Sequence, residues 1–187
     1  LLSFGRMSTW IAILRGINVS GARKLPMKEL KELFETLKCT NVRTYIQSGN
    51  VVLESARLDV GTFGRKVESA IKKRYDYDVP VIVRSLDEMK KAVSANPYMK
   101  RKGIELDKLH VTFLADAPKK TEAEKISDAT FGDDSFELLG REVYVHCPDG
   151  YGNTKLNNAF FESKLKVSAT TRNWRTVNEL VRIGEEG

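Results

Sequence analysis

The chain has 187 residues, of which 41% are hydrophobic, enough for one domain with a large core or for two small halves packed together. No apolar run approaches the ~20 residues that cross a bilayer, so we expect no membrane partner. The net charge of +6 is concentrated in residues 1–84, which carry 15 Lys and Arg against 8 Asp and Glu. This surplus favours nucleic acid or phosphorylated small molecules as partners, although a basic surface is also a common solubility feature.

The two cysteines, Cys39 and Cys147, are far apart in the sequence and form no CxxC motif. This usage is typical of reduced thiols, so we expect a cytoplasmic protein without a disulfide framework. We also expect neither a metal site nor a cofactor.

The first half of the chain predicts the order β-α-β-β-α-β. Apolar and β-branched runs predict strands, and apolar residues at a spacing of three and four predict amphipathic helices. A turn rich in glycine and asparagine joins two of the strands into a hairpin. The elements are a strand at 11–14, a helix at 27–37, strands at 42–46 and 51–53, a helix at 63–71 and a strand at 80–83.

The second half repeats this pattern after a connecting helix. Ser85 with Glu88 has the spacing of a capping box, which predicts the start of that helix, and Asn96-Pro97 predicts its end. Thr121 with Glu124 predicts a second capping box. The other expected elements are a strand at 110–115, a hairpin of 136–139 and 142–147, a helix at 156–165 and a last helix at 174–183.

The repeated order predicts an α+β protein of two ferredoxin-like halves related by duplication. Each half is expected to have an antiparallel sheet with helices on one face, and an extra helix follows at the C-terminus. The expected domains are 7–84 for the first half, 85–106 for the connecting helix and loop, and 107–187 for the second half with the last helix.

Four polar clusters are candidates for a ligand site. Two of them precede helices, where free N–H groups and the helix dipole attract anions, and Lys155 or Arg172 would add positive charge. Each cluster could also be ordinary turn and cap chemistry. The candidate ligand-binding residues are Arg15, Asn18, Gln47, Ser48, Asn50, Lys155, Arg172, Asn173 and Trp174.

The four clusters contain no Asp, Glu, His or Cys, so acid–base catalysis is disfavoured there. They supply amide and guanidinium donors and an indole, Trp174, that could stack on a base. We expect Arg15 and Asn18 to lie near Gln47, Asn50 and the segment 172–174 in one polar cluster.

Two further patterns have structural interpretations that we favour. Tyr75 and Tyr77 follow the basic run 72–74, a composition found in nucleic-acid patches but also at solvated helix ends. His110 and His146 could share one sheet face, yet two histidines without a third ligand make a poor metal site, so we favour structural roles for them.

Several separated motifs occur in order along the chain: Leu14–Val19, Tyr45–Val51, Asn96-Pro97, Pro148–Gly150 with Lys155-Leu156, and Arg172–Thr176. Together they resemble the family called domain of unknown function 1697. The resemblance runs from about Trp10 to about Leu180 and therefore covers nearly the whole chain. Ser20 and Thr154 are small departures from the family pattern. The resemblance implies a soluble, mostly bacterial α+β protein and no established reaction.

The sequence favours a non-catalytic module that binds an anion, with nucleic acid as the expected partner. One alternative is an enzyme acting on a small phosphorylated or nucleotide-like substrate, with Arg15, Lys155 and Arg172 as a charge clamp. Another is an interaction scaffold whose polar clusters only hold the fold together.

Overall fold

The computed structural model describes residues 6–56 and 58–187, which fall into two compact units. Unit 1 runs from residue 6 to Lys90 and also includes Leu180–Gly187, and unit 2 comprises Lys91–Glu179. The sequence-based domain boundaries at residues 84 and 106 follow the order of elements along the chain and stay a prediction.

Unit 1 has the order β-α-β-β-α-β, followed by one more helix. Its elements are β1 (Ser8–Leu14), α1 (Met27–Thr36), β2 (Thr40–Tyr45), β3 (Asn50–Ser55), α2 (Val60–Tyr75), β4 (Val81–Ser85) and α3 (Leu86–Ser94). The four strands form an antiparallel sheet in the order β2-β3-β1-β4. This is the ferredoxin-like arrangement. Two strands that a helix connects are not neighbours in the sheet, because a third strand pairs between them.

Alternation along β1 decides which side chains enter the helix-covered core of unit 1. Ala12 and Leu14 pack in one cluster with residues of α1 and α2, because successive strand residues point to opposite faces. Phe34 of α1 and Phe63 of α2 meet edge to face in this cluster, with ring centroids 6.0 Å apart. Ile11 and Ile13, on the other face, are buried as well.

The capping box that begins α3 forms as the sequence predicts. The Ser85 hydroxyl accepts a hydrogen bond from the Glu88 backbone N–H at 3.1 Å, and Glu88 accepts one from the Ser85 N–H at 2.8 Å. Two N–H groups that the helix itself cannot satisfy are thus paired. Strand β4 therefore passes into α3 without a loop.

Unit 2 repeats this arrangement. Its elements are β5 (Leu109–Leu114), α4 (Lys120–Glu124), β6 (Ser135–Leu139), β7 (Glu142–His146), α5 (Asn158–Leu165), β8 (Ala169–Asn173) and α6 (Trp174–Glu185), whose last residues belong to unit 1. The antiparallel sheet has the order β6-β7-β5-β8, equivalent to that of unit 1. The prediction of two ferredoxin-like halves is confirmed, and the C-terminal helix α6 corresponds to α3.

The register of the two sheets shows how closely the frame is repeated. Ile11 of β1 pairs with Arg84 of β4, and Val111 of β5 pairs with Arg172 of β8. One residue beyond the β1–β3 pairing, the Leu14 N–H donates to the Gly49 carbonyl at 2.9 Å, and one residue beyond the β5–β7 pairing, the Leu114 N–H donates to the Arg141 carbonyl at 2.9 Å. The repeat therefore extends to individual backbone hydrogen bonds.

One predicted cap is wrong. Helix α4 begins at Lys120, and Thr121 lies inside it, so Thr121 and Glu124 form no capping box. The backbone N–H groups of Glu122 and Ala123 already bond to the Lys119 carbonyl, both at 3.0 Å. The first helical turn is therefore closed before Thr121 could cap it.

We expect Gly49→Ala to lower the free energy of unfolding by roughly 2–4 kcal/mol, since it adds left-handed strain to overpacking. Gly49 has φ +89°, and a Cβ there would lie 2.7 Å from Ile17 Cδ1. Gly140, in the equivalent hairpin, has φ +61° and open space around it. Gly140→Ala should therefore lower the free energy of unfolding by only roughly 1–2 kcal/mol, through backbone strain alone. Urea unfolding measures both, and equal losses would contradict the proposed packing at Gly49.

Candidate functional site

Asn18 joins two loops at one end of the unit 1 sheet. These are the β1–α1 loop (residues 15–26) and the β2–β3 turn (residues 46–49). Its side-chain amide donates to the carbonyls of Leu25 at 2.9 Å and Gln47 at 2.8 Å, and its carbonyl oxygen accepts from the Leu25 N–H at 2.8 Å. The Asn18 side chain therefore closes the loop on itself and also bonds it to the turn.

The backbone of the β1–α1 loop repeatedly enters the left-handed region. Gly16, Asn18, Ser20, Gly21 and Arg23 all have positive φ, which glycine and asparagine adopt at low energetic cost. A Cβ on Gly16 would lie 3.3 Å from an Arg23 guanidinium nitrogen, so that guanidinium packs close to the Gly16 backbone. The glycine therefore allows the cation to lie against the start of the loop.

The polar residues of the β2–β3 turn mainly hold the turn together. Asn50 is buried, and its amide donates to the Tyr45 carbonyl at 2.9 Å and to the Ser48 hydroxyl at 3.1 Å. The Gln47 backbone carbonyl accepts from Asn18, whereas Gln47 as a whole is exposed. Of the predicted ligand-binding residues, Asn18 and Asn50 therefore use their amides to position the loops.

Positive charge dominates the β1–α1 loop and the start of α1. Residues 15–28 contain Arg15, Arg23, Lys24 and Lys28 and no carboxylate. Arg15 is half-buried and the other three are exposed. Within the described parts of the chain, Arg23, Lys24 and Lys28 form no ion pair. They therefore remain available to an anion from solution.

The other basic segment of unit 1, at the end of α2, is largely neutralised. Lys72 pairs with Asp76 at 2.9 Å and Asp78 at 3.0 Å, and Arg74 pairs with Glu29 at 3.3 Å. The rings of Tyr75 and Tyr77 stack on each other with centroids 5.8 Å apart. These contacts favour the helix-end interpretation of the pattern over a nucleic-acid patch.

Two aliphatic side chains are exposed beside the Asn18 contacts. Val19 in the β1–α1 loop is 55% exposed and Ile46 in the β2–β3 turn is 48% exposed. Ile46 also has φ +50°, a conformation that is unusual for a β-branched residue. We call Val19 and Ile46 together with Arg23 and Lys24 the loop surface.

The predicted residues in unit 2 are mostly buried or used as caps. Arg172 is 9% exposed and donates to the Thr171 carbonyl at 2.9 Å. Burial lowers its pKa to about 10, so it is still protonated at neutral pH. Asn173 caps α6 by accepting from the Thr176 N–H at 2.8 Å. The Trp174 side chain is buried at 6% exposure and offers almost no face on which a base could stack.

The burial of Arg172 has a counterpart in the repeat. Arg84 occupies the equivalent position of β4, is 1% exposed and donates to the Val83 carbonyl at 3.3 Å. A buried arginine at this point is therefore a property of the repeated frame. Lys155 is exposed and precedes α5, whose cap is the Asn157 side chain.

A polar row on the unit 2 sheet was missed by the sequence analysis. The Thr112 and Thr171 hydroxyls lie 2.7 Å apart on paired strands, and the Thr171 hydroxyl donates to the Asn158 side-chain oxygen Oδ1 at 2.7 Å. His110 continues the row and stacks on Tyr151 with ring centroids 4.4 Å apart. The alternation of polar and apolar residues in His110-Val111-Thr112 of β5 was the sequence signal that could have predicted this row.

The two histidines do not share a face. His110 pairs with Val145, whereas His146 pairs with Leu109, and neighbouring strand residues point in opposite directions. Burial lowers the pKa of His110. Over residues 6–56 and 58–187, no group of three or more His, Cys, Asp or Glu could hold a metal ion.

The β1–α1 loop has no equivalent in unit 2. After β5, a short connection leads to α4, and Ala115 takes the place of Arg15. The Arg15 N–H donates to the Pro80 carbonyl at 3.0 Å, and the Ala115 N–H donates to that of Ser168 at 2.9 Å. The repeated frame thus forms both with and without the basic loop.

Comparison with known proteins gives a family and a fold. A family model described as "Protein of unknown function (DUF1697)" matches residues 7–144. The conserved bacterial protein SP0830 from Streptococcus pneumoniae has 19% identity and a TM-score of 0.76, covering 96% of this chain and 99% of its own. An unknown protein from Galdieria sulphuraria, at 11% identity, 97% and 94% coverage and a TM-score of 0.27, carries no argument. No curated protein matches.

We expect Asn18→Gly to lower the free energy of unfolding by roughly 1–3 kcal/mol, because it removes the three side-chain hydrogen bonds and still permits positive φ. Hydrogen exchange should also become faster at Leu25, whose N–H loses its acceptor. Ser20→Gly is the matched control, since Ser20 has φ +49° in the same loop. If both variants are as stable as the unmodified protein, Asn18 does not hold the loops together.

We expect His110→Phe to flatten the dependence of stability on pH. The native pKa of His110 lies below its ordinary value, so the unfolded state binds more protons and stability falls as the pH drops below about 6.5. Phenylalanine keeps a ring against Tyr151 but does not titrate. Urea unfolding from pH 7 to pH 5 measures the slope. Equal slopes for the two proteins would show that His110 does not contribute to the pH dependence of stability.

Proposed function

We propose that this chain, which belongs to the DUF1697 family, is a non-catalytic module that binds nucleic acid through its loop surface. The observation that carries the proposal is the cationic loop, which Asn18 fixes to the β2–β3 turn. Its exposed cations point to an anionic partner, and no carboxylate in residues 15–28 opposes one.

The internal repeat supports a role for the loop beyond folding. Unit 2 builds the same sheet with equivalent register and closes the equivalent connection without Arg-Gly-Ile-Asn. A basic, glycine-containing loop is therefore not required by the frame. Loops placed on a rigid sheet are common positions for binding residues.

The electrostatics favour a polyanion. A phosphate chain offers several charges at regular spacing, and each contact with Lys or Arg releases condensed counterions. Arg23, Lys24 and Lys28 provide such contacts within a short stretch of chain. In contrast, Arg172 is buried and the frame also buries its equivalent, Arg84, so the charge clamp of the enzyme alternative receives less support.

A non-catalytic role is supported by the chemistry of the loop. No carboxylate, histidine or cysteine of the sequence falls within residues 15–28, so this segment supplies no ordinary acid or base at neutral pH. Cys39 and Cys147 are free thiols and both are buried, and burial raises the pKa of Cys39 to about 11. We include a cytoplasmic location in the proposal, because unreactive reduced thiols suit that compartment. No helix in the described residues is long and apolar enough to span a membrane.

We expect the double variant Arg23→Ala/Lys24→Ala to bind oligonucleotides less tightly. The slope of log K against log salt should become shallower by roughly 1–2, since two phosphate contacts are lost. Fluorescence anisotropy with labelled RNA and DNA from 50 to 200 mM NaCl measures both quantities. Lys102→Ala/Lys164→Ala removes the same charge from exposed positions of unit 2 and is the control.

Equal weakening in the two double variants would mean that only net charge matters, not the loop surface. If the unmodified protein shows no salt-dependent binding to any oligonucleotide, the proposed function is wrong. Stabilisation by nucleotides or sugar phosphates in a thermal-shift assay, without oligonucleotide binding, would favour the enzyme alternative.

A further inference from the structure

The loop surface combines two chemical features that a bare phosphate chain does not require together. Arg23 and Lys24 are exposed cations, while Val19 and Ile46 are about half exposed aliphatic side chains. The Asn18 amide bonds to the Gln47 carbonyl at 2.8 Å, so the chain neighbours of Val19 and Ile46 are in direct contact. Positive and apolar groups are thereby held on neighbouring, connected loops.

Ile46 is costly for the fold where it lies. A left-handed backbone suits glycine or asparagine, and a β-branched residue there carries strain of about 1–2 kcal/mol. The side chain also gains little from burial, because nearly half of it is exposed. Folding alone would therefore favour a different residue, and an exposed strained side chain is typical of positions that contact a ligand.

Resting on the proposed function, we infer that the loop surface binds single-stranded nucleic acid, with unpaired bases against Val19 and Ile46 and phosphates against Arg23 and Lys24. Unpaired bases present large apolar faces, whereas a duplex stacks those faces inside and presents mainly phosphates, sugars and base edges. Aliphatic side chains gain by covering a base face and gain nothing from a phosphate. The two kinds of group on the loop surface thus match the two parts of an unpaired strand.

The ligand arms of the experiment separate base contacts from phosphate contacts. Three labelled ligands carry the same number of phosphates: a single-stranded 12-mer of DNA, a hairpin duplex, and a 12-mer in which abasic residues replace the nucleosides. Fluorescence anisotropy at one fixed salt concentration gives each affinity. We expect the single strand to bind about tenfold more tightly than the abasic strand, in line with the energy of base contacts. The affinity for the single strand should also exceed the affinity for the duplex.

Protein variants identify the residues that contact the bases. Val19→Ser/Ile46→Asn removes both aliphatic side chains, and asparagine tolerates the backbone at position 46, so the variant should fold with undiminished thermal stability. It should lose about fivefold or more in affinity for the single strand, and its affinity for the abasic strand should equal that of the unmodified protein. Leu139→Ser, which removes a 45% exposed leucine from unit 2, is the control and should change neither affinity.

The outcomes distinguish this inference from the proposed function. Equal binding of all three ligands, unaffected by Val19→Ser/Ile46→Asn, would overturn the role of the bases while leaving salt-dependent nucleic-acid binding intact. If no oligonucleotide binds, both the inference about the bases and the proposed function are wrong. Vesicles with anionic headgroups form a last arm, and vesicle binding that depends on Val19 and Ile46 without oligonucleotide binding would assign the surface to a membrane instead.

Discussion

The organisation of unit 1 depends on where strand β1 is held by backbone hydrogen bonds. It pairs with β3 on one edge and β4 on the other, and the Leu14 and Arg15 N–H groups bond to the Gly49 and Pro80 carbonyls just beyond the paired residues. These bonds fix the point at which the chain leaves the sheet. The β1–α1 loop therefore begins next to the β2–β3 turn, within reach of the Asn18 side-chain amide, which bonds to both.

In unit 2 the equivalent backbone hydrogen bonds are followed by a shorter connection. The comparison shows which features of the β1–α1 loop the repeated frame does not require. There the Leu114 and Ala115 N–H groups make the equivalent bonds, yet the chain proceeds directly toward α4. The duplicated scaffold forms with either connection, so the frame does not require the residues of the longer loop. The β1–α1 loop has cations without a carboxylate and an exposed valine, Val19, whereas residues 115–119 of unit 2 include Asp116 and no valine, leucine or isoleucine.

Features set by short-range chemistry could be predicted from the sequence. The hairpins and the Ser85–Glu88 capping box depend on residues within a few positions of each other, and all form. Burial depends on distant parts of the chain and was not foreseen for Asn50, Arg172 or Trp174. The sequence pattern predicts exposed ligand groups from polar and amphipathic side chains beside turns, whereas in the structure their hydrogen bonds and packing serve the fold.

The assignment of residues 180–187 to unit 1 also has a consequence for synthesis of the chain. The Arg43 guanidinium donates to the Ile183 carbonyl at 2.6 Å, and Lys90 pairs with Glu185 at 3.2 Å. At ribosomal rates of about 5–20 residues per second, the roughly 90 residues between these segments take on the order of 5–20 s to emerge. Although it begins first, unit 1 is therefore completed last, and a nascent chain that already contains all four of its strands still lacks part of its packing.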